Sequence, residues 1–188
     1  MHSNDTARAP LQADWLARPA APLAQADPLR PLLASLLVGR QLQQGVLSAT
    51  LGLATAEFQA MCQSYFGGAL PALTDGPGED IVELEDLRLL LLEYRAGEHQ
   101  SEAWLAHIVA YSCCGRNHLW QDLGLAHRAE LSQLMALAFP ALAALNSADM
   151  KWKKFIYRHY CAREGIYVCP APSCGECKDH GFCFGQEA

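Results

Sequence analysis

Between Pro28 and Phe139 apolar side chains return every three or four residues, a spacing that fits helices and not strands. Leu29, Leu32, Leu33, Leu36 and Leu37 begin the pattern, Val38 and Leu42 extend it, and Gly45 ends it. Phe58, Met61, Cys62 and Tyr65 share one face of a segment that Thr55 can cap and Gly67-Gly68 can stop. Ile81, Leu84, Leu87, Leu91 and Tyr94 predict a helix over 81–95. Trp104, Ile108 and Tyr111 predict another from about Ser101 to Gly115, with Glu102 in its first turn. Leu131, Leu134, Met135 and Ala138 predict one that ends before Pro140. No stretch alternates as a strand would for more than four residues, and no internal repeat occurs. The expected architecture is all-α, a compact helical bundle.

Size and charge narrow the function. The chain has 188 residues, 51% of them apolar and 18% charged, enough for one domain with a real core. Fourteen Lys and Arg against twenty Asp and Glu give a net charge of −6, which argues against nucleic-acid or membrane binding through a basic footprint. The longest nearly unbroken apolar stretch, 134–145, contains a proline and falls short of the ~20 residues a bilayer requires. The N-terminus shows no basic region followed by an apolar one, so a cytoplasmic location is expected. There, the eight cysteines should be free thiols, metal ligands or catalysts and not structural disulfides. Residues 1–27, rich in proline and alanine with no sustained period, are expected to be a disordered or loosely docked arm beside the helical body at 28–148.

Residues 149–188 differ in kind. Asp149 can cap a helix running through Glu164, with Gly165 as its stop. Trp152, Phe155, Ile156, His159, Tyr160 and Arg163 would form its inward face. Segment 149–165 carries five Lys and Arg against two acids, a net of +3, so the remainder carries −6 − 3 = −9. By contrast, segment 79–102 holds eight acids and two arginines and reads as an acidic, solvated face.

After Gly165 the sequence YVCPAPSCGECKDHGFCFGQEA cannot build a core of its own. It holds Cys169, Cys174, Cys177 and Cys183 in the spacing C-x4-C-x2-C-x5-C, four thiols within 15 residues. Soft thiolates this close on turn-forming backbone can converge on one metal centre, giving an irregular, cysteine-rich metal-binding loop. Structural zinc sites more often pair two short knuckles across a longer insert. The first three cysteines instead match the C-x4-C-x2-C portion of plant-type iron–sulfur ferredoxins, with the fourth much nearer. Spacing alone leaves iron–sulfur, zinc and a disulfide open.

The segments NHLWQDLGL (117–125), FPALAALN (139–146), MKWKKFIYRHYC (150–161) and EGIYVCPAPSCGECKDHGFCFG (164–185) together resemble the NifQ family of nitrogen-fixation proteins. The resemblance covers about residues 100–187. It implies an iron–sulfur protein that carries molybdenum, as a mixed Mo–Fe–S cluster held by Cys169, Cys174, Cys177 and Cys183. It also implies delivery of that molybdenum to the proteins that assemble the nitrogenase cofactor, the scaffold and the iron protein. Lys151, Lys153, Lys154 and Arg158 are then candidates for attracting molybdate, a molybdenum–sulfur species or an acidic partner.

Other residues have two readings each. Cys113 and Cys114 could join His118 in a second metal site or simply be small core residues. Cys161 could approach the cluster or pack. His118 could bind cofactor, its ring oriented by Asp122 four residues on, or cap a helix. His159 reads as a core histidine, and His180 as a ligand or hydrogen-bond donor within the cysteine loop. Trp104, Trp120 and Trp152 read as core. No nucleotide-binding glycine loop, hydrolase triad or paired carboxylate is present, so no conventional catalysis is expected. The competing functions are a zinc-stapled interaction module and a simple iron–sulfur electron carrier.

Overall fold

A computed structural model describes residues 3–68 and 82–165. Every regular element among them is a helix: α1 (Ser3–Leu16), α2 (Pro22–Ala26), α3 (Arg30–Gln41), α4 (Thr55–Phe66), α5 (Val82–Glu93), α6 (Ser101–Cys113), α7 (Leu119–Asp122), α8 (Arg128–Ala138), α9 (Pro140–Leu145) and α10 (Trp152–Glu164). None of them is long and apolar enough to cross a membrane. The all-α expectation holds.

Helices α3 and α6 form the centre. Leu33, Leu36, Leu37 and Val38 of α3 are buried, and so are Leu105, Ala106, Ile108, Val109 and Ala110 of α6. Alpha6 is apolar on nearly all sides because it is enclosed, whereas α5 buries only Leu87, Leu90 and Leu91 and leaves Leu89 exposed. Alpha5 packs along α6, and α1 along α3. Glycine stops act as the sequence suggests: Gly67 closes α4 and Gly165 closes α10, both in the left-handed region.

The N-terminal residues depart from expectation. Residues 3–27 carry two helices, and Trp15 lies inside the core, edge-on to Phe66 with ring centroids 5.2 Å apart. Buried arginines hold this region, not an apolar stripe, which is why periodicity missed it. Arg8 donates to the Ser35 carbonyl and hydroxyl, to Gln44 Oε1 and to the Gly124 carbonyl. Arg30 donates to the carbonyls of Leu16, Arg18 and Tyr65. Asp27, also buried, accepts from Leu29 N–H, the Tyr65 hydroxyl at 2.6 Å and the Ser101 hydroxyl, joining α3, α4 and α6.

The acidic stretch is not uniformly solvated either. Glu102 is completely buried and accepts the backbone N–H groups of Gly97, Glu98 and His99. It closes the loop that leads into α6 by satisfying donors that would otherwise be orphaned.

Candidate functional site

Alpha10 carries the basic cluster and leads directly into the cysteine segment. Its buried residues are Trp152, Phe155, Ile156, Tyr157 and Cys161. The inward face is therefore rotated from the expected one: His159 and Tyr160 are half-buried and Arg163 is exposed. Those three meet α5 along its rim. His159 Nε2 lies 2.9 Å from the Tyr94 hydroxyl while its ring stacks on Phe155, in keeping with a core histidine. The Tyr160 hydroxyl donates to Asp86 at 2.7 Å, and Arg163 pairs with Glu93 at 2.6 Å. The aspartate hydrogen bond pushes the Tyr160 phenol up to about 12.

The expected cap of α10 is also different. Asp149 has a positive φ and accepts from Arg128 at 2.9 Å, and the residue at the cap position is Lys151. Short polar residues tolerate the left-handed region, which frees Asp149 to turn the chain ahead of the helix.

Near its N-terminus α10 is fastened by Lys153, which is not one of the surface cations. Its side chain is 12% exposed, and its ammonium reaches Asp122 Oδ2 at 2.6 Å; Asp122 is 0% exposed. The same ammonium donates to the carbonyls of Gly115 at 3.0 Å and Asn117 at 2.8 Å. All three lysine protons thus have an acceptor. Asp122 in turn accepts from Asn117 N–H and Nδ2, each at 3.0 Å for the nearer oxygen. Its own carbonyl accepts from Val46 N–H at 2.8 Å. A Cβ on Gly115 would collide with the Asp122 carboxylate, and one on Gly39 with the Gly124 carbonyl. The 113–124 segment is consequently a junction where α1, α3, α6, α7 and α10 meet. No local signal marks Lys153, because its partner lies 31 residues back.

Of the proposed cofactor-binding residues, Lys154 and Arg158 fall four residues apart on one face of α10, and Lys151 sits at its cap. Arg158 is exposed, and both lysines are half-buried. His118 occupies the N-cap of α7, where its backbone N–H donates to Gln121 Oε1 at 3.1 Å. The Asp122 carboxylate accepts from Asn117 and from Lys153.

The thiols of the body sort by burial. Cys113 is fully buried and its thiol is pushed up to about 12, chiefly by burial, with the nearby Lys153 charge opposing. Burial likewise pushes Cys62 up to about 11. Full burial among apolar neighbours is the environment of a small core residue. Cys114 is half-buried with its sulfur 3.6 Å from the Ala110 carbonyl, and Cys161 is buried. No group of three or more His, Cys, Asp or Glu side chains among the described residues could hold a metal ion. The candidate ligands Cys169, Cys174, Cys177 and Cys183, with His180, lie outside the described residues.

Fold and site together define an all-α protein whose last helix, basic and clamped at its base, runs into a four-cysteine segment. Residues 32–185 match the model of the NifQ family, and the chain belongs to that family, whose name assigns it to nitrogen fixation. It is similar to "Protein NifQ" of Azotobacter vinelandii, 47% identical over 114 residues covering 58% of each chain. It is similar to "Protein NifQ" of Rhodobacter capsulatus, 37% identical over 150 residues covering 76% of this chain and 80% of that one. A third relative, "Protein NifQ" of Klebsiella pneumoniae, is 46% identical over 102 residues, covering 53% and 61%. The match thus spans less than two thirds of the A. vinelandii and K. pneumoniae proteins. No solved structure matches the chain.

Proposed function

We propose that the chain is a cytoplasmic iron–sulfur protein that carries molybdenum in a mixed Mo–Fe–S cluster and donates it to nitrogenase cofactor assembly, acting as carrier and not as enzyme. The observation that carries this reading is the extent of the family match, which runs to residue 185 and so includes all four tail cysteines. The donor set fits the cargo: four soft thiols suit iron–sulfur ligation, and their spacing leaves turn residues between them. Sulfide-rich clusters supply soft ligands for molybdenum when bound. The chain's own contribution is to present the thiols after α10 and to place positive charge at the start and middle of that helix. Lys154 and Arg158 lie on α10 and Lys151 at its cap, suited to attracting molybdate or an anionic molybdenum–sulfur species. The receiving partners in this reading are the scaffold and iron protein of nitrogenase cofactor assembly, and neither nucleic acid nor membrane takes part.

Anaerobic purification of the full chain tests it. Iron, sulfide and molybdenum should co-purify with broad visible absorption, and Cys177→Ala should lower all three. A colourless protein with one zinc per chain would overturn the proposal in favour of a zinc-stapled module. Iron without molybdenum, with a reversible redox couple, would overturn it in favour of an electron carrier.

A further inference from the structure

We infer that Lys153 and Asp122 are a positioning pair that sets where the cysteine segment leaves the helical body. The cations of α10 do not form one population. Lys154 and Arg158 share a face of the helix, with Lys151 at its cap, while Lys153 turns inward to a carboxylate that is 0% exposed. Two of its acceptors, Gly115 O and Asn117 O, belong to the turn between α6 and α7, and the third, Asp122 Oδ2, to the last residue of α7. That turn is itself rigid by construction: Asn117 clasps Asp122 through two donors, and Gly115 is the residue that lets the carboxylate approach.

The consequence is geometric. One bond set therefore fixes the backbone of the α6–α7 turn and the end of α7 against the first turn of α10. Because α10 ends at Gly165, it also fixes the start of the segment bearing Cys169 to Cys183. Lys153 acts through the placement of other groups and touches no cargo. An ammonium with three acceptors is a stronger orienting device than an ion pair alone, since each acceptor constrains a different direction.

The inference rests on the carrier reading for its functional consequence, and the test separates the two. Full-length wild type, Lys153→Met, Lys153→Arg and the Asp122→Asn/Lys153→Met double variant are purified anaerobically. Iron and molybdenum per chain are measured beside amide hydrogen exchange. In Lys153→Met, amides of 115–118 and 152–156 should exchange at least tenfold faster, with α3 unchanged. Iron should stay near wild type, since the tail thiols are intact, while molybdenum per chain falls at least threefold. Lys153→Arg, which keeps charge and several donors, should restore most of the molybdenum. The double variant leaves no lone buried charge, so it stands in should Lys153→Met fail to fold, and it should show the same pattern. Unchanged exchange in the variants overturns the clamp. Faster exchange with molybdenum retained overturns the positioning role and leaves a stability role only. A wild type without metal defeats the carrier reading, and the exchange rates alone then decide the clamp.

Discussion

The two ends of α10 are tied down by the same kind of chemistry in opposite surroundings. Near the N-terminus, Lys153 meets Asp122 with almost no solvent access. Toward the C-terminus, Arg163 meets Glu93 with side chains 41% and 57% exposed, and Tyr160 meets Asp86 at the surface. The distances are equal at 2.6 Å for the two ion pairs, so distance does not distinguish them. Burial does. A pair in water is screened and restrains two long side chains for little net gain, whereas a buried pair makes each partner dependent on the other. The helix is therefore fixed at its base and more lightly held at the end from which the cysteine segment departs.

The sharpest way to break this contrast is Lys153→Met. It removes the cation and leaves the buried Asp122 carboxylate without its ammonium partner, a loss of about 3–5 kcal/mol. Urea unfolding followed by circular dichroism reads it directly. The Asp122→Asn/Lys153→Met pair should recover a large part of the loss, because neither charge is then stranded. A Lys153→Met protein as stable as wild type would show that water reaches the site.

Alkaline pH probes burial in the body through two thiols, Cys113 near the clamp and Cys62 in α4. Cys113 is raised to about 12 and Cys62 to about 11 from an ordinary 9.0, mainly by burial. The folded chain keeps both thiols neutral while the unfolded chain ionises them. Their contribution is complete below about pH 9 and is lost as pH rises through 11 and 12. Stability at pH 10.5 should lie about 4 kcal/mol below that at pH 8 from these two thiols, about 2 kcal/mol from each. Replacing Cys62 and Cys113 by alanine should flatten that limb, and a limb of unchanged slope would assign it to other groups.

These two effects also mark what the sequence could disclose. Helices α3 to α6 and α8 were legible because leucines and aromatics at three- and four-residue steps report burial locally, and Gly67 and Gly165 report where helices end. Arg8, Arg30 and Lys153 were illegible for one shared reason. Each is buried through acceptors far away in the chain, such as Gly124 for Arg8, and a charge count treats such residues as solvated. The same blindness made residues 1–27 read as an arm and Glu102 as part of a surface. The segment NHLWQDLGL carried the family resemblance without its reason. In the fold that segment supplies the cap of α7, the buried Asp122 and the close-approach Gly124. The four tail cysteines are a candidate ligand set by their spacing, which leaves the metal open and says nothing of how the body meets them; they lie outside the described residues.

Between the two ends, Tyr94→Phe removes the hydroxyl 2.9 Å from His159 Nε2 and keeps the ring contact. A loss of about 1 kcal/mol is expected, the net worth of a neutral hydrogen bond in a half-buried site. The urea midpoint should fall without a change in slope, and Tyr94→Leu should cost more because the ring contact is lost too. Equal losses for the two variants would assign the whole effect to the hydroxyl.

The smallest effect belongs to the outer end. Glu93 holds the Arg163 guanidinium above its usual range through a hydrogen bond, yet both side chains stay in water. Arg163→Gln should leave the urea midpoint of the whole chain unresolved from wild type. What it should change is local: amides of the last turn of α10 exchange faster, and the difference from wild type shrinks as salt is raised across the range where the Debye length falls from ~10 to ~3 Å. The exchange rates at 115–118, beside Lys153, should not respond to salt in either protein, because a buried pair is screened much less. If both ends respond to salt alike, burial does not separate them, and α10 is held evenly along its length.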